Sequence, residues 1–468
     1  MTRVVEGPGE DHAMSAEKRP RAVVVAVKLS EVDDLEFRSS LDELRRLVST
    51  LGYDPVAEVT QSRAHLETAA VLGEGKLQEL AALTGGSGST QSVVPRKADK
   101  ARMRRLAESE EVDEGPVGGG DDEEEGGPSI DLVAVDHDIT PSQARNLERV
   151  TGVQVLDRTG VIVEIFHRHA RSREARLQVE IARLTYTAPR LRESPGGRER
   201  QQGRGAGESA LELDRRKIRD RIAELREELA AVQREQGTRR SQRHDARRVA
   251  LVGYTNAGKS SLMRALTGSE VLVEDKLFAT LDTTVRALYP EVKPRILVSD
   301  TVGFIKRLPH DLVASFKSTL DEALEASLLL HVVDASDPDW QAQHEVTRQV
   351  LAEIGADRVP TQLVFNKIDR LAPGVLDELR GRFADAIYLS ARDPEDVARL
   401  RSIIIERFES AYAEEEITVP YDQQRLIASM HEQGKVLDQQ YGDDGVRVRV
   451  RAPAAVLARL RSQLAGSE

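Results

Sequence analysis

Gly253-Tyr254-Thr255-Asn256-Ala257-Gly258-Lys259-Ser260 is the stretch that decides the fold. Two glycines with four residues between them run into Lys and Ser, and the apolar run Arg248-Val249-Ala250-Leu251-Val252 precedes them. Strand, glycine-rich loop and helix in that order make a phosphate-binding loop. The glycines let backbone N–H groups converge on phosphate at a helix N-terminus, where the helix dipole favours negative charge. Lys259 then reaches the β- and γ-phosphates, the Ser260 hydroxyl takes a Mg²⁺ position, and Ser261 continues the helix. A glycine-rich turn of no function is the bland alternative, so the loop needs a second signal.

That signal starts 106 residues beyond Ser260, where the chain reads Asn366-Lys367-Ile368-Asp369 after the buried-strand run Gln362-Leu363-Val364-Phe365. An Asp at 369 accepts from both N1–H and the exocyclic amine of guanine. Adenine offers neither donor there and leaves a buried carboxylate unpaired, at a cost of about 1–3 kcal/mol or more. GTP is therefore expected over ATP. Asn366 is expected on the other edge of the base and Lys367 along its plane. The strand-like Ala386-Ile387-Tyr388-Leu389 then delivers Ser390-Ala391-Arg392 as a backing loop.

Between the two motifs, Arg295-Ile296-Leu297-Val298-Ser299 leads into Asp300-Thr301-Val302-Gly303-Phe304. Asp300 suits a Mg²⁺ held through water, and the Gly303 N–H suits a γ-phosphate sensor whose following segment moves on hydrolysis. Upstream, Leu277-Phe278-Ala279-Thr280-Leu281-Asp282-Thr283-Thr284 offers three threonines for the other switch. Spacing alone does not choose among them. Phe304 and Ile305 stand where many GTPases place a water-orienting Gln nearby, so slow intrinsic hydrolysis is expected.

The full set, with Leu277 to Asp282 and Asp300 to Ile305, resembles the HflX family of translation GTPases. The resemblance extends to Val71-Leu72-Gly73-Glu74-Gly75-Lys76-Leu77, Ile139-Thr140-Pro141-Ser142-Gln143-Ala144-Arg145-Asn146-Leu147, Val155-Leu156-Asp157-Arg158-Thr159 and Leu177-Gln178-Val179-Glu180. It includes Gly203 to Glu212, where Ala206 replaces a usual Pro, and covers roughly residues 20–415. It implies that Thr280 completes the Mg²⁺ shell, with Lys259, Thr280 and Gly303 serving hydrolysis. It also implies a large-subunit partner and a GTPase that splits ribosomes into subunits. Asn256 resembles the potassium-binding Asn of some related GTPases, which adds K⁺ as a second candidate ion.

Composition sets bounds. At 468 residues about three domains are expected. The absence of Cys excludes disulfides, thiolate zinc sites and a Cys nucleophile. Residues 1–20 are polar, and no run approaches the ~18 apolar residues of a membrane span. A cytoplasmic monomer is expected. His167 and His169 are the one close histidine pair and read better as surface positions than as a zinc site; Trp340 reads as packing. Net charge is −12, yet residues 168–248 carry +9, while ten acidic residues crowd into 108–125. The basic middle suits polyanion contact.

The expected architecture is α/β. It has a polar, disordered start at 1–20, an N-terminal parallel α/β domain at 21–158 interrupted by a disordered acidic insert at 85–128, a long antiparallel helical hairpin at 159–246, a P-loop GTPase domain at 247–412 and a small α+β domain at 413–468. The hairpin reads as helices at 159–188 and 209–236, joined by a Gly/Arg loop at 193–209. Arg198, Arg200 and Arg204 of that loop are the candidate rRNA contacts, since a glycine backbone threads narrow spaces while arginines meet phosphate. Arg447, Arg449 and Arg451 alternate with Val446, Val448 and Val450, which suggests a basic face on the last domain. Two other functions fit the motifs: a GTP-dependent RNA-modification or ribosome-assembly factor, and an RNA-remodelling protein with an ATP-binding N-terminal domain. For the latter, Gly73-Glu74-Gly75-Lys76 is too short to be a phosphate loop.

Overall fold

The structure, a computed structural model, describes residues 19–66, 69–88, 129–191, 210–241, 247–268, 277–278, 284–306 and 322–465. Outside the described residues lie the first eighteen residues, most of the acidic insert, and the Gly/Arg loop with Arg198, Arg200 and Arg204. So do Ala279, Thr280, Leu281, Asp282 and Thr283 of the upstream switch. The chain divides into two compact units, Met1–Val161 and Ile162–Glu468.

In the first unit β1 (Arg21–Leu29), α1 (Asp34–Thr50), β2 (Asp54–Arg63), α2 (Glu74–Thr84), β3 (Leu132–Val135), α3 (Pro141–Thr151) and β4 (Gln154–Asp157) alternate. Every strand pair is parallel, in the order β2-β1-β3-β4. Ala22 to Val27 are buried on both sides of β1, as a parallel sheet covered by helices requires. The α3 start is written in the sequence: the Thr140 hydroxyl accepts from the Gln143 N–H while the Gln143 side chain returns to the Thr140 N–H, with Pro141 in the first turn.

Strand order reverses between β1 and β3, the usual ligand crevice of an open parallel sheet. Just beyond the carboxyl end of β3, Asp136 is buried and paired with Arg158 at 2.8 Å. Arg158 also pairs with Glu43 of α1, and the Ser40 hydroxyl donates to Asp136 at 2.6 Å. The protein's own buried charges thus line that place. Gly73, at the start of α2, has its N–H held by the Gln61 side chain at 3.0 Å.

Residues 159–188 are not one helix, contrary to expectation. The chain forms α4 (Arg158–His169) and α5 (Arg173–Thr187), because the Ser172 hydroxyl caps the Ala175 N–H and starts a new helix. The hairpin is therefore α5 with α6 (Ala210–Ser241), packed through Leu177, Ile181, Leu225 and Val232. On α4, Phe166 is fully buried and meets Phe278 of the upstream switch edge-on, with ring centroids 4.6 Å apart. His169 lies 2.8 Å from the Ile165 carbonyl and His167 3.4 Å from Arg183. Among the described residues no cluster of three His, Asp or Glu side chains could hold a metal.

The central six-stranded sheet follows, from β5 (Arg247–Gly253), β6 (Thr284–Ala287), β7 (Ile296–Asp300), β8 (Leu328–Asp334), β9 (Thr361–Asn366) and β10 (Ile387–Tyr388). Its order is β10-β9-β8-β5-β7-β6, parallel except for β6 on β7. The helices around it are α7 (Lys259–Thr267), α8 (Trp340–Glu353), α9 (Val375–Arg382) and α10 (Pro394–Glu409). The sequence reading did not anticipate β6. It places Thr284 opposite Asp300 in the ladder, so Thr284 is a strand residue. Trp340 is buried edge-on against Phe365 and Phe383, a packing role.

The C-terminal elements are β11 (Ala413–Val419), α11 (Arg425–Gln433), β12 (Lys435–Gly442), β13 (Gly445–Ala452) and α12 (Ala454–Ala465), with strand order β11-β13-β12. Val446, Val448 and Val450 enter the core with Ile417, Val419, Met430, Leu457 and Leu460. The opposite face is not simply basic. Arg447 pairs with Glu416 at 3.2 Å, and Arg449 and Arg451 pair with Glu414 at 3.6 and 2.9 Å, because β11 lies antiparallel beside β13 and presents its acidic residues across the ladder. No described helix is long and apolar enough to cross a membrane.

His331 of β8 is 2% exposed and stacks on His344 of α8, with centroids 4.7 Å apart. Burial first, then the neighbouring His344, Lys259 and Arg348, push its pKa down to about 3. The folded pKa is depressed below the unfolded value, so the unfolded chain binds the proton better. This contribution is complete above about pH 6.5 and is lost as pH falls from there toward 3, at about 1.4 kcal/mol per unit. His331→Leu should flatten the decline in urea midpoint between pH 6.5 and 5 relative to wild type. Parallel declines would show that His331 does not set it.

Candidate nucleotide-binding site

The site forms where β5, β7 and β9 deliver their carboxyl ends. After β5 the chain turns through Tyr254, Thr255, Asn256 and Ala257 into α7, with Asn256 at φ 60° and Gly258 at φ 94°. Only glycine suits position 258, since a Cβ there would stand 2.2 Å from the Asn366 side-chain nitrogen as well as meeting a left-handed backbone. Lys259, at the head of α7, is buried and donates to the Gly253 and Tyr254 carbonyls at 3.1 and 2.8 Å. Burial lowers its pKa to about 8, opposed by the Asp300 carboxylate and assisted by Lys367.

At the next residue, the Ser260 hydroxyl donates to Asp300 Oδ2 at 2.6 Å, and Asp300 is fully buried. The Thr301 hydroxyl bonds the Leu251 carbonyl at 2.7 Å, and Val302 is buried. Gly303 then passes close to the phosphate loop: a Cβ on it would stand 2.8 Å from Thr255 Cα and 2.9 Å from Lys259 Nζ. Two backbone bonds join the switch to the loop, Thr255 N–H to Phe304 O at 2.8 Å and Phe304 N–H to Gly253 O at 3.1 Å. The two expected phosphate sensors, Lys259 and Gly303, therefore meet.

On the base side, Asn366 Nδ2 donates to the Ala257 carbonyl at 2.9 Å and Asn366 Oδ1 accepts from the Ala391 N–H at 3.0 Å. One amide hydrogen remains for a base acceptor. Lys367, at φ 62°, bonds the Asn256 carbonyl at 2.7 Å and pairs with Asp334 at 2.7 Å. Ile368 and Asp369 form a short 3₁₀ turn with Asp369 exposed. The Ser390 N–H is held by Asp396 at 2.8 Å, and Arg392 stays exposed. All three segments read from the sequence thus come to one end of the sheet. Phe278, with a left-handed φ of 57°, stands beside Phe166, and Leu277 before it is buried; residues 279–283 of the run lie outside the described residues.

Sequence reasoning missed two residues, and one contact of a third that it had placed in the site. Asp334 orients Lys367, Asp396 fixes the backing loop, and the Tyr254 hydroxyl accepts from the Lys306 N–H at 2.7 Å. Asp334 had a readable signal, an acidic residue ending the apolar run Leu328 to Val333, as Asp300 ends its own.

Phosphate favours the Lys259 ammonium, whereas burial leaves the free protein losing it near pH 8. GTP binding should take up a proton above that point, so affinity stays level below pH 8 and declines by up to about tenfold per unit above it. Calorimetry at pH 8.5 in two buffers of different ionisation enthalpy reads the uptake. Identical heats would sink the assignment of Lys259 as a neutralising group.

Similarity to known proteins extends over 95% of the chain. Residues 38–112 and 123–167 match the family described as GTP-binding GTPase N-terminal, residues 169–243 the GTP-binding GTPase Middle Region, and residues 248–367 the family described as 50S ribosome-binding GTPase. The protein called GTPase HflX from Gluconacetobacter diazotrophicus is 60% identical over 446 residues, covering 95% of this chain and 98% of the relative. Proteins of the same name from Magnetococcus marinus and Escherichia coli K12 are 40% and 36% identical, each over 452 residues, covering 95% of this chain and 95% and 96% of their own. With a phosphate loop and these relatives over 95% of its length, the chain belongs to the HflX family of GTPases, and its reaction is the hydrolysis of GTP.

Proposed function

We propose that this GTPase binds the large ribosomal subunit and separates ribosomes into subunits, with GTP promoting docking and hydrolysis serving release. The observation that carries this reading is the match to all three regions in turn, over residues 38–112 and 123–167, 169–243 and 248–367, the G domain answering to a description that includes 50S ribosome binding. Charge supports it, since the net +9 of residues 168–248 in a chain of net −12 puts the polyanion-seeking surface in the helical middle.

The nucleotide chemistry follows from the site. Lys259 spans the β- and γ-phosphates, backbone N–H groups from Tyr254 to Gly258 surround them, and the Gly303 N–H registers the γ-phosphate. The adjacent Ser260 hydroxyl and buried Asp300 carboxylate form an oxygen-only donor set that fits Mg²⁺, with Thr280 as the third protein oxygen. The ion, when bound, offsets charge on the phosphates. Asp369 selects guanine, Asn366 takes its other edge, Lys367 floors the ring, and Ser390, Ala391 and Arg392 back it. Exposed Asn256, beside that floor, is the residue to which a K⁺ requirement would trace.

Binding without chemistry should suffice for splitting if GTP acts by stabilising the docked state. Intact ribosomes sedimented with the protein should yield subunits with GTP and with a nonhydrolysable analogue, and stay whole with GDP. Equal splitting with GDP would overturn this scheme.

In the same assay, deleting residues 193–209 removes Arg198, Arg200 and Arg204 while sparing the GTP site. Splitting and ribosome binding should weaken together, with the salt slope shallower by about 0.7–0.9 for each phosphate deprived of its arginine. Wild-type splitting by the shortened chain would leave those arginines as a solvated turn.

A further inference from the structure

Thr255 carries a buried hydroxyl that the fold does not use. The residue is 6% exposed, and its Oγ1 has no hydrogen-bond partner among the described residues. A buried polar atom in that condition is destabilising, so one kept inside a phosphate loop calls for a physical reason. The backbone around it is settled, because the Thr255 N–H is tied to the Phe304 carbonyl at 2.8 Å. The hydroxyl alone is uncommitted.

Its position relates it to the reacting end of the nucleotide. A Cβ on Gly303 would stand 2.9 Å from both Thr255 Cγ2 and Lys259 Nζ, so the Thr255 side chain, the phosphate-seeking ammonium and the γ-phosphate sensor share one small space. Rotation about χ1 by one staggered well brings the hydroxyl to where the methyl stands, the methyl moving to the place of the Cβ hydrogen, without moving the backbone. The two residues after Gly303 supply nothing in competition: Phe304 is 2% exposed, Ile305 is 1% exposed, and both are apolar. Hydrolysis nevertheless needs some group to orient water in line with the γ-phosphorus.

We infer that the Thr255 hydroxyl orients the attacking water. Resting on the phosphate-loop reading of the site, this names the group behind the intrinsic reaction. Thr255 Oγ1 accepts a hydrogen bond from the water and donates its own to a γ-phosphate oxygen. The water oxygen bonds to the γ-phosphorus, the bond from that phosphorus to the β–γ bridging oxygen breaks, and the water proton passes to a γ-phosphate oxygen. GDP and inorganic phosphate leave, and Thr255 ends as the neutral hydroxyl it began.

The experiment is single-turnover GTP hydrolysis by the full-length free protein in excess, with no ribosomes, for wild type, T255V and T255S. Fluorescent GDP and GTP analogues give the affinities, and a melting curve checks folding. T255V keeps the shape and removes the hydroxyl, so the rate should fall about 10- to 100-fold while GDP affinity stays within about threefold. T255S restores the hydroxyl and should return most of the rate. T255V hydrolysing at the wild-type rate, or T255S being as slow as T255V, overturns the inference. A T255V that loses GDP affinity and rate together also overturns it, because the residue then only shapes the loop. Wild type that neither binds nor hydrolyses GTP would instead overturn the phosphate-loop reading itself.

Discussion

The Asn366 side chain is a strut on which the nucleotide site depends. Its two polar ends bond loops that follow different strands, the phosphate loop through Ala257 and the backing loop through Ala391. Neither loop has a regular ladder to hold it there. A buried carboxamide bonded at both ends converts two independent loops into one frame, at the cost of demanding glycine at 258. The Asp334–Lys367–Asn256 chain of contacts runs parallel to it and stiffens the same frame. The loop after β5 and the loop after β10 are therefore mechanically linked through one side chain of β9.

Beneath this frame the sheet supplies rigidity. β5 and β8 are buried along nearly their whole lengths, so the loops at their ends hang from strands that cannot slide without exposing Val252, Leu330 or Val332. The segment joined to the phosphate loop by Thr255 and Phe304 is held differently, by two backbone bonds and the Lys306 N–H on the Tyr254 hydroxyl. The two attachments thus differ in how many bonds secure them, and the more sparsely bonded segment opens at lower cost.

Much of this was legible in the sequence because the chemistry is local. Gly258, Lys259 and Ser260 lie together in the chain, and Asn366 to Asp369 follow a strand whose apolar run is unmistakable. The helical and strand alternation of the first unit was likewise readable, down to the Thr140–Gln143 cap. What escaped was set by tertiary contact. The break after His169 depends on a single serine cap inside an otherwise helical run, and β6 is a four-residue edge strand that exists through pairing with β7. Asp396 acts on a loop six residues away through space, and periodicity carries no trace of that.

The arginine ladder on β13 has a consequence for long-range forces. Seen from beyond the roughly 8 Å over which physiological salt screens charge, Arg447, Arg449 and Arg451 blend with Glu414 and Glu416 into a face of small net field. Such a surface neither draws a polyanion from solution nor repels one. Whatever meets it must do so at close range, by matching a pattern of alternating charge instead of following a gradient.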